Sequence, residues 1–408
     1  MEFLTSITAA EALGIITSFP LLPFDTEDID LEQALGRVLA GDIVALEDIP
    51  PFSRSLVDGY AVRAKDTYGA RENSPAFVMA KGEVRVGEAA SQTVGEGESI
   101  YVSTGAMVPE GADSVVMQEY TRRVPDAVEI TKTARRGENI CFKGEDLRTG
   151  RVVLETGKTL SPFDLGVLAA LGVTHFTVYR RPLIGLVSSG DEIVPADAVP
   201  PAGKVRDINT YTVSNLLRNQ GCVVRFAGIA KDTPEDITEK LLSLKDSDMI
   251  LLSGGSSKGQ SDFMTTVIER LGGKILFHGL NIKPGKPTIF ASLWDKPVFG
   301  LPGHPVSCSM VVLRFVFPLA RRIKRQSDPS SSLSMMTGTL RTNVPSTYGI
   351  EEYVRVTVER HEDALSVSPI FAKSSIISTL SRADGYIIVP EGKEGLEAGE
   401  KVEVYPLG

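Results

Sequence analysis

The sequence predicts a multidomain protein of mixed α/β and β class: a doubly wound parallel α/β domain, an inserted β-rich domain, a helical and β N-terminal unit and a C-terminal β-barrel. Three observations lead there. The chain has 408 residues, too many for one ordinary hydrophobic core. Between Pro182 and Gln326, short apolar runs alternate with amphipathic helical patterns, the signature of consecutive βαβ units. Before and after that region, short segments of alternating apolar and polar residues are punctuated by Gly, Pro and Asn, as in small β-rich domains.

Taken in order, the first fifty residues read as two helices near Ile7–Phe19 and Leu31–Gly41, separated by "PLLPFDTED". The prolines of "DIPPFSRS" mark a linker at Pro50–Ser55. Segments such as "AFVMAKGEVRVG", "ESIYVSTGA", "DSVVMQEY" and "DAVEITKTA" then predict a β-rich domain over 51–138. From 139 to 181 the pattern is strand, turn, capped helix and strand; Ser161-Pro162 supplies a helix cap and first-turn proline, and Gly172 ends the helix. Packing of this segment on the N-terminal helices would make 1–50 and 139–181 one discontinuous unit, with 51–138 inserted into it. Over 182–326, "LIGLVSS", "VVRFAGIA" and "DMILLSG" read as strands between helices. "TIFASLW" and "PVFGL" read as an edge hairpin turning through Asp295-Lys296, and "PVSCSMVVLRFVFPLARRIK" as a long last helix. A serine-rich connector leads to a compact β-barrel over 333–408.

Composition narrows the function. Hydrophobic residues make up 42% and charged residues 23%, and no apolar run approaches the roughly 20 residues a membrane helix needs. The net charge is −9 with both signs mixed throughout, so the field that gathers nucleic acid or an anionic membrane is missing. Cys141, Cys222 and Cys308 are odd in number and far apart, which fits neither a disulfide framework nor a cysteine zinc site. With no export signal at the start, a cytoplasmic protein with reduced cysteines is expected.

In open α/β sheets, ligands sit outside the carboxyl ends of the strands. That rule selects Ser188–Glu192 (including Gly190), Lys231–Thr233, Ser253–Asp262, Asn281–Pro287 and Leu301–Ser307 as one rim. The loop "SGGSSKGQSD", with Gly254, Gly255 and Ser256, leaves backbone N–H groups open at a strand-to-helix turn, where a helix dipole also favours an anion. It has neither the Walker spacing nor a G-x-G-x-x-G fingerprint, and alone it serves equally well as a structural turn. "KPGKP" adds two cations, Lys283 and Lys286, and the pair facing a glycine loop suits a pyrophosphate. Glu192, Asp232 and Asp262 end three loops on that rim; each alone reads as a helix cap or solvated acid, whereas together they suggest magnesium or an oxyanion site. His278 and His304 read as packed side chains, and no Ser-His-Asp arrangement is assignable.

Read together, "SLVDGYAV", "STGAMVPEGADSVVMQE", "GEDL", "SSGDEIV", "LLSGGSSKGQSDF", "NIKPGKPTIF" and "GLPGHPVSC" resemble the signature segments of the molybdopterin molybdenumtransferase family, in order and over nearly the whole chain. The resemblance implies an enzyme of the last step of molybdenum cofactor synthesis, which takes molybdopterin-AMP and molybdate, releases AMP and leaves molybdenum on the dithiolene, with Mg2+ assisting. It implies a homodimer whose cleft combines the α/β domain of one subunit with the inserted domain of the other, and contact with the upstream adenylyltransferase is a further expectation. It carries catalytic or metal-binding roles to Asp58, Glu192, Asp232 and Asp262, and cofactor contacts to Thr104, Ser188, Gly190, Gly254, Gly255, Ser256, Lys283, Lys286 and Ser374.

The sequence also departs from the family pattern. Arg54, Leu56 and Val57 precede the Asp-Gly-Tyr core, Ser256, Lys258, Gln260 and Ser261 alter the glycine loop, Gly279 stands where some members have lysine, and His304 replaces a frequent Asn. Two other readings stay open at this point. One is an adenylyltransferase-like enzyme on the same α/β domain, and the other is a non-catalytic dimeric scaffold of the kind the animal relative gephyrin provides.

Overall fold

The computed structural model describes residues 6–23, 25–254, 260–327, 335–361 and 364–407, without the side chains of Gln260, Ser261 and Asp262. Most of the serine-rich connector, residues 328–334, lies outside the described residues.

The first helix, α1 (Ala9–Ser18), begins with a capping box: Thr8 Oγ1 accepts from the Glu11 N–H while the Glu11 carboxylate accepts from the Thr8 N–H. Such a cap stabilises a helix by about 1 kcal/mol. Its apolar face does not join the 139–181 segment, as the sequence suggested. Ala9, Ala12, Ile16 and Phe19 lie in the same core as Leu186, Phe290, Phe299 and Phe315 of the α/β domain. Arg322 fixes the other end by donating to the carbonyls of Ile16 and Phe19.

The helix expected over Leu31–Gly41 is absent. Thr26–Asp30 is a strand, Leu31–Gln33 a single 3-10 turn, and the chain reverses at Gly36, whose φ is +72°. Val38–Leu39 then pairs with Val178–Tyr179, while Thr26–Asp30 pairs with the other edge of His175–Tyr179. The apolar spacing serves a small sheet: Ile29 and Leu39 pack against Leu168 of α2 (Pro162–Ala170) and against Phe176 and Val178.

The stretch between these paired strands carries a six-stranded sheet, ordered Ser114–Met117, Gly59–Val62, Glu98–Val102, Ala76–Val84, Ala127–Ile130 and Thr121–Val124. Strand alternation splits its side chains between two cores. Ala61 and Val115 face one, and Tyr60, Val62 and Val116 face the other.

The α/β sheet runs Val223–Ala230, Leu183–Ser189, Met249–Ser253, Lys296–Leu301, Ile289–Leu293 and Lys274–His278. The first four strands are parallel, and Ile289–Leu293 runs antiparallel to both of its neighbours, so the sheet is mixed rather than wholly parallel. The hairpin between 289 and 301 turns at Trp294-Asp295, both with positive φ. It is not an edge hairpin: Lys296–Leu301 also pairs with Met249–Ser253, and Lys274–His278 takes the edge. Met249 and Leu251 point to one core and Ile250 and Leu252 to the other. The first core is covered by α1, α3 (Asn209–Asn219) and the last helices, the second by α4 (Pro234–Ser243) and α5 (Gln260–Arg270). The long last helix is α6 (Pro305–Val311), a π-turn at Val312–Val316 and α7 (Phe317–Ile323). Pro318, which has no N–H to give, follows the wider turn.

In the C-terminal region, Lys401–Val404, Met336–Leu340, Leu365–Pro369, Glu351–Arg360 and Gly385–Val389 pair in that order, and the Tyr386–Tyr405 bridge brings the last strand back to the first. One further strand, Ile282–Lys283, is lent by the α/β region and pairs parallel with Glu351–Glu352.

Candidate functional site

A cavity of about 690 Å³ opens at the carboxyl ends of the parallel strands. Its wall includes Ser188, Ser189 and Glu192 from the end of one strand, Ser253 and Gly254 from the next, and Pro302, Gly303 and His304 from the third. Pro287 lines it from the "KPGKP" turn. Four of the five rim loops named from sequence therefore converge, and the one carrying Asp232 does not line it.

The approach of these strand ends demands glycine. At Gly254, φ is +124° and a Cβ would fall 1.9 Å from the Ser189 carbonyl oxygen. At Gly190, a Cβ would meet the Glu192 carboxylate at 2.8 Å, so the missing side chain lets that carboxylate fold back beside the turn. Ser188 is buried in the cavity floor.

Of the acidic set, Glu192 lines the cavity, Asp232 does not, and the side chain of Asp262 lies outside the described residues. The Asp191 N–H donates to Asp232 Oδ2 at 3.2 Å and the Asp232 N–H to Asp191 Oδ1 at 3.3 Å, so Asp232 ties two loops together. The adjacent Thr233 caps α4, and its Oγ1 accepts from the Asp236 N–H, which fixes that loop away from the cavity wall. Gly255, Ser256, Lys258 and the side chain of Asp262 lie outside the described residues. Among the described residues, no three His, Cys, Asp or Glu side chains cluster to hold a metal.

The two lysines are also placed differently. Lys283 Nζ sits 2.9 Å from Glu352 Oε1, because Ile282–Lys283 is paired with the C-terminal sheet and Glu352 is a largely buried carboxylate in want of a cation. Lys286 is exposed and enters the structure through its carbonyl, which accepts from the Leu280 N–H at 2.8 Å. Neither lines the cavity.

Sequence reading missed a second strip of wall, Val205–Asn209, together with Ser375. Arg206 brings a cation; its Nε donates to the Ala198 carbonyl at 2.9 Å. Lys204 donates to the Asp191 carbonyl and braces the Ser188–Glu192 loop. The buried Asp207 accepts from the Thr210 N–H at 3.0 Å and from Thr210 Oγ1 at 2.6 Å. An Asp three residues before Thr at a helix start is a legible capping signal, but nothing in it announces a cavity wall. Ser374 meets the site through His304, its Oγ 2.9 Å from His304 Nδ1. Burial pushes the Cys308 thiol up to about 12, which rules it out as a nucleophile behind Ser253.

On the inserted sheet, Asp58 Oδ1 accepts from the Thr104 N–H at 2.6 Å and from Thr104 Oγ1 at 2.9 Å. These two bonds hold its carboxyl below the usual carboxylate range, the backbone bond contributing most. Both residues are exposed and neither is in the cavity wall of their own chain. The arrangement offers serine hydroxyls, glycine backbone and one cation for an anionic ligand, with Glu192 available for a cation or a proton.

Three family models match the chain: the MoeA N-terminal region (domain I and II) over residues 7–172, a probable molybdopterin binding domain over 185–322, and the MoeA C-terminal region (domain IV) over 337–407. The molybdopterin molybdenumtransferase of Bacillus subtilis is 31% identical over 99% of this chain and 95% of its own. That of Haemophilus influenzae is 31% identical over 94% and 95%. A crystal structure of the molybdopterin biosynthesis MoeA protein of Pyrococcus horikoshii superposes with a TM-score of 0.86 at 32% identity, covering 98% of this chain and 100% of that one.

Proposed function

The chain belongs to the MoeA family and is a molybdopterin molybdenumtransferase, and on that premise we propose that the cavity at the ends of its parallel strands is where molybdenum from molybdate enters adenylylated molybdopterin with release of AMP. The observation that carries the placement is the convergence of Ser188, Ser189, Ser253, Gly254 and Gly303 on one cavity. Hydroxyls and glycine backbone are the groups that hold phosphate oxygens without a large fixed charge.

The chemistry asks for charge control. Molybdate is a dianion and the adenylylated cofactor carries phosphates, so their approach has a Coulomb cost in a partly dry site. Arg206 offsets part of it. An oxygen of molybdate adds to the AMP phosphorus and the phosphoanhydride P–O bond breaks, the bridging oxygen staying with the molybdopterin phosphate. The two dithiolene sulfurs then bond molybdenum, the Mo–O bond to the adenylyl group breaks so that this oxygen leaves with AMP, and the two thiol protons leave with a second oxo oxygen as water. Holding the two anions together supplies much of the rate gain. Magnesium belongs to the same proposal. It is usually bound by one or two carboxylates plus substrate phosphates, so Glu192 in the wall fits it. When bound, it would neutralise charge on the phosphates. Lys283 and Lys286 are assigned no part in the described site.

A homodimer is proposed as well, because it would let Asp58 and Thr104 of a second subunit complete a cavity that their own chain leaves without them. A contact with the upstream adenylyltransferase, and a cytoplasmic location, are part of the same reading. Among the described residues, no helix is long and apolar enough to cross a membrane.

The test is to incubate the protein with adenylylated molybdopterin, Mg2+ and either molybdate or tungstate, and to follow AMP. Oxyanion-dependent AMP release is expected. AMP release independent of the oxyanion, or none, overturns the assignment.

A further inference from the structure

We propose that Asn209 is a positioning residue for this reaction, a clamp that joins two of the strand ends forming the cavity floor. The proposal rests on the cavity being the reaction site. Asn209 is the first residue of α3, is 8% exposed and lines the cavity. Its Nδ2 donates one hydrogen to Ser253 Oγ at 2.8 Å and the other to the Gly303 carbonyl at 2.8 Å. An amide nitrogen has two hydrogens, and here both are used.

The two acceptors lie at the ends of different strands of the sheet, Ser253 as the last residue of Met249–Ser253 and Gly303 two residues past Lys296–Leu301, and both line the cavity wall. The pairing of these strands runs out at Ser253 and Leu301, so beyond that point the sheet no longer sets the spacing. Asn209 takes over there. Its own place is fixed by Asp207, whose carboxylate holds Thr210 at the start of α3. The far side of Gly254 is fixed by its close approach to the Ser189 carbonyl. Two strand ends are thereby held in register by one short double donor, and the third by the close approach of Gly254 to Ser189.

The residue type follows from the geometry. Both partners present oxygen lone pairs, so a carboxylate at 209 would repel the Gly303 carbonyl and could not donate. An alanine takes the donor away from the buried Ser253 hydroxyl and the more exposed Gly303 carbonyl, and the loops drift. A displacement of about 1 Å in such a site costs up to roughly 100-fold in rate.

Asn209→Ala, with Asn215→Ala as control, tests this. Asn215 is on the same helix, exposed, and donates only to the Tyr211 carbonyl. For Asn209→Ala, kcat for molybdate-dependent AMP release is expected to fall by about tenfold or more while KM for adenylylated molybdopterin changes by less than about threefold. Hydrogen exchange at the Gly254 amide should quicken, and Asn215→Ala should change none of these. The double variant Asn209→Ala/Ser253→Ala should be less impaired than the product of the single effects. A kcat within about twofold of the unsubstituted protein overturns the proposal, whatever the exchange rate does. If Asn209→Ala does not fold, Asn209→Ser, which keeps one donor and cannot span both acceptors, must lower kcat with KM held; an unchanged kcat is then the overturning result. Absence of activity in the unsubstituted protein would instead defeat the assignment of the reaction, and the Gly254 exchange rate alone would judge the clamp.

Discussion

His304 Nδ1 lies 2.9 Å from Ser374 Oγ, and the contact ties the cavity-lining turn at His304 to the C-terminal segment that carries Ser375. A second bond runs beside it, from the Val306 N–H to the Ser374 carbonyl at 3.1 Å. Behind Ser374 the loop is anchored by Arg355, which donates to the Ala372 carbonyl at 2.8 Å and to Thr379 Oγ1 at 2.7 Å. One wall of the site is therefore set by the barrel.

Ser374→Ala removes the hydroxyl and leaves the Val306 bond in place. It should cost about 1 kcal/mol of stability, with activity down on the order of tenfold. Arg355→Lys should cost more, about 2 kcal/mol, since an ammonium cannot span both partners as the planar fork does. Thermal denaturation and AMP release measure both; full activity in a folded Arg355→Lys protein would show that the loop does not depend on its anchor.

Asp58 gives a pH signature. Its folded carboxyl titrates below the ordinary value of 3.8 because Thr104 donates two bonds to the ionised form. The stabilising contribution is thus fully present above the unfolded value and is lost as pH falls through the folded one. In Thr104→Val the backbone bond remains and the hydroxyl bond goes, so the titration midpoint should move part of the way back up. An NMR titration of the Asp58 carboxyl reads this directly, and an unmoved midpoint would contradict the assigned bond.

Gly254→Ala is the severe case. The added methyl would sit 1.9 Å from a carbonyl oxygen, at a φ that L-residues rarely adopt. A loss of about 3 kcal/mol or more is expected, together with activity. Gly36→Ala offers a comparison: it has the same sign of φ with nothing within 4 Å, and chemical denaturation should show the milder cost of strain alone.

The sequence made some of this legible for definite reasons. Strands such as Met249–Ser253 are buried on both faces and read as continuous apolar runs, and the Ser161-Pro162 helix start carries its own chemistry. Val38–Leu39 was misread because its spacing fits a helix as well, and only the Phe176 and Val178 side chains decide between the two. Lys274–His278, not foreseen as a strand, exists because the hairpin beside it provides an edge. In the site, glycines and loops at strand ends were readable from the topology rule. The destination of long side chains was not: Lys283 answers to Glu352, and Asp232 to the backbone of Asp191, partners remote in sequence. Asn209 carried no motif at all, and its role arises from where two other strands happen to stop.

The burial of α1 against the α/β core imposes an order on biosynthesis. When this helix leaves the ribosome, Leu186, Phe290, Phe299 and Phe315 have yet to be translated, while the inserted sheet has all its strands by Ile130. The amphipathic helix must therefore wait for its partners with its apolar stripe uncovered. Stalled chains ending before Pro305 should leave it protease-sensitive, and chains extended well past Ile323 should shield it; early protection would mean it first docks elsewhere.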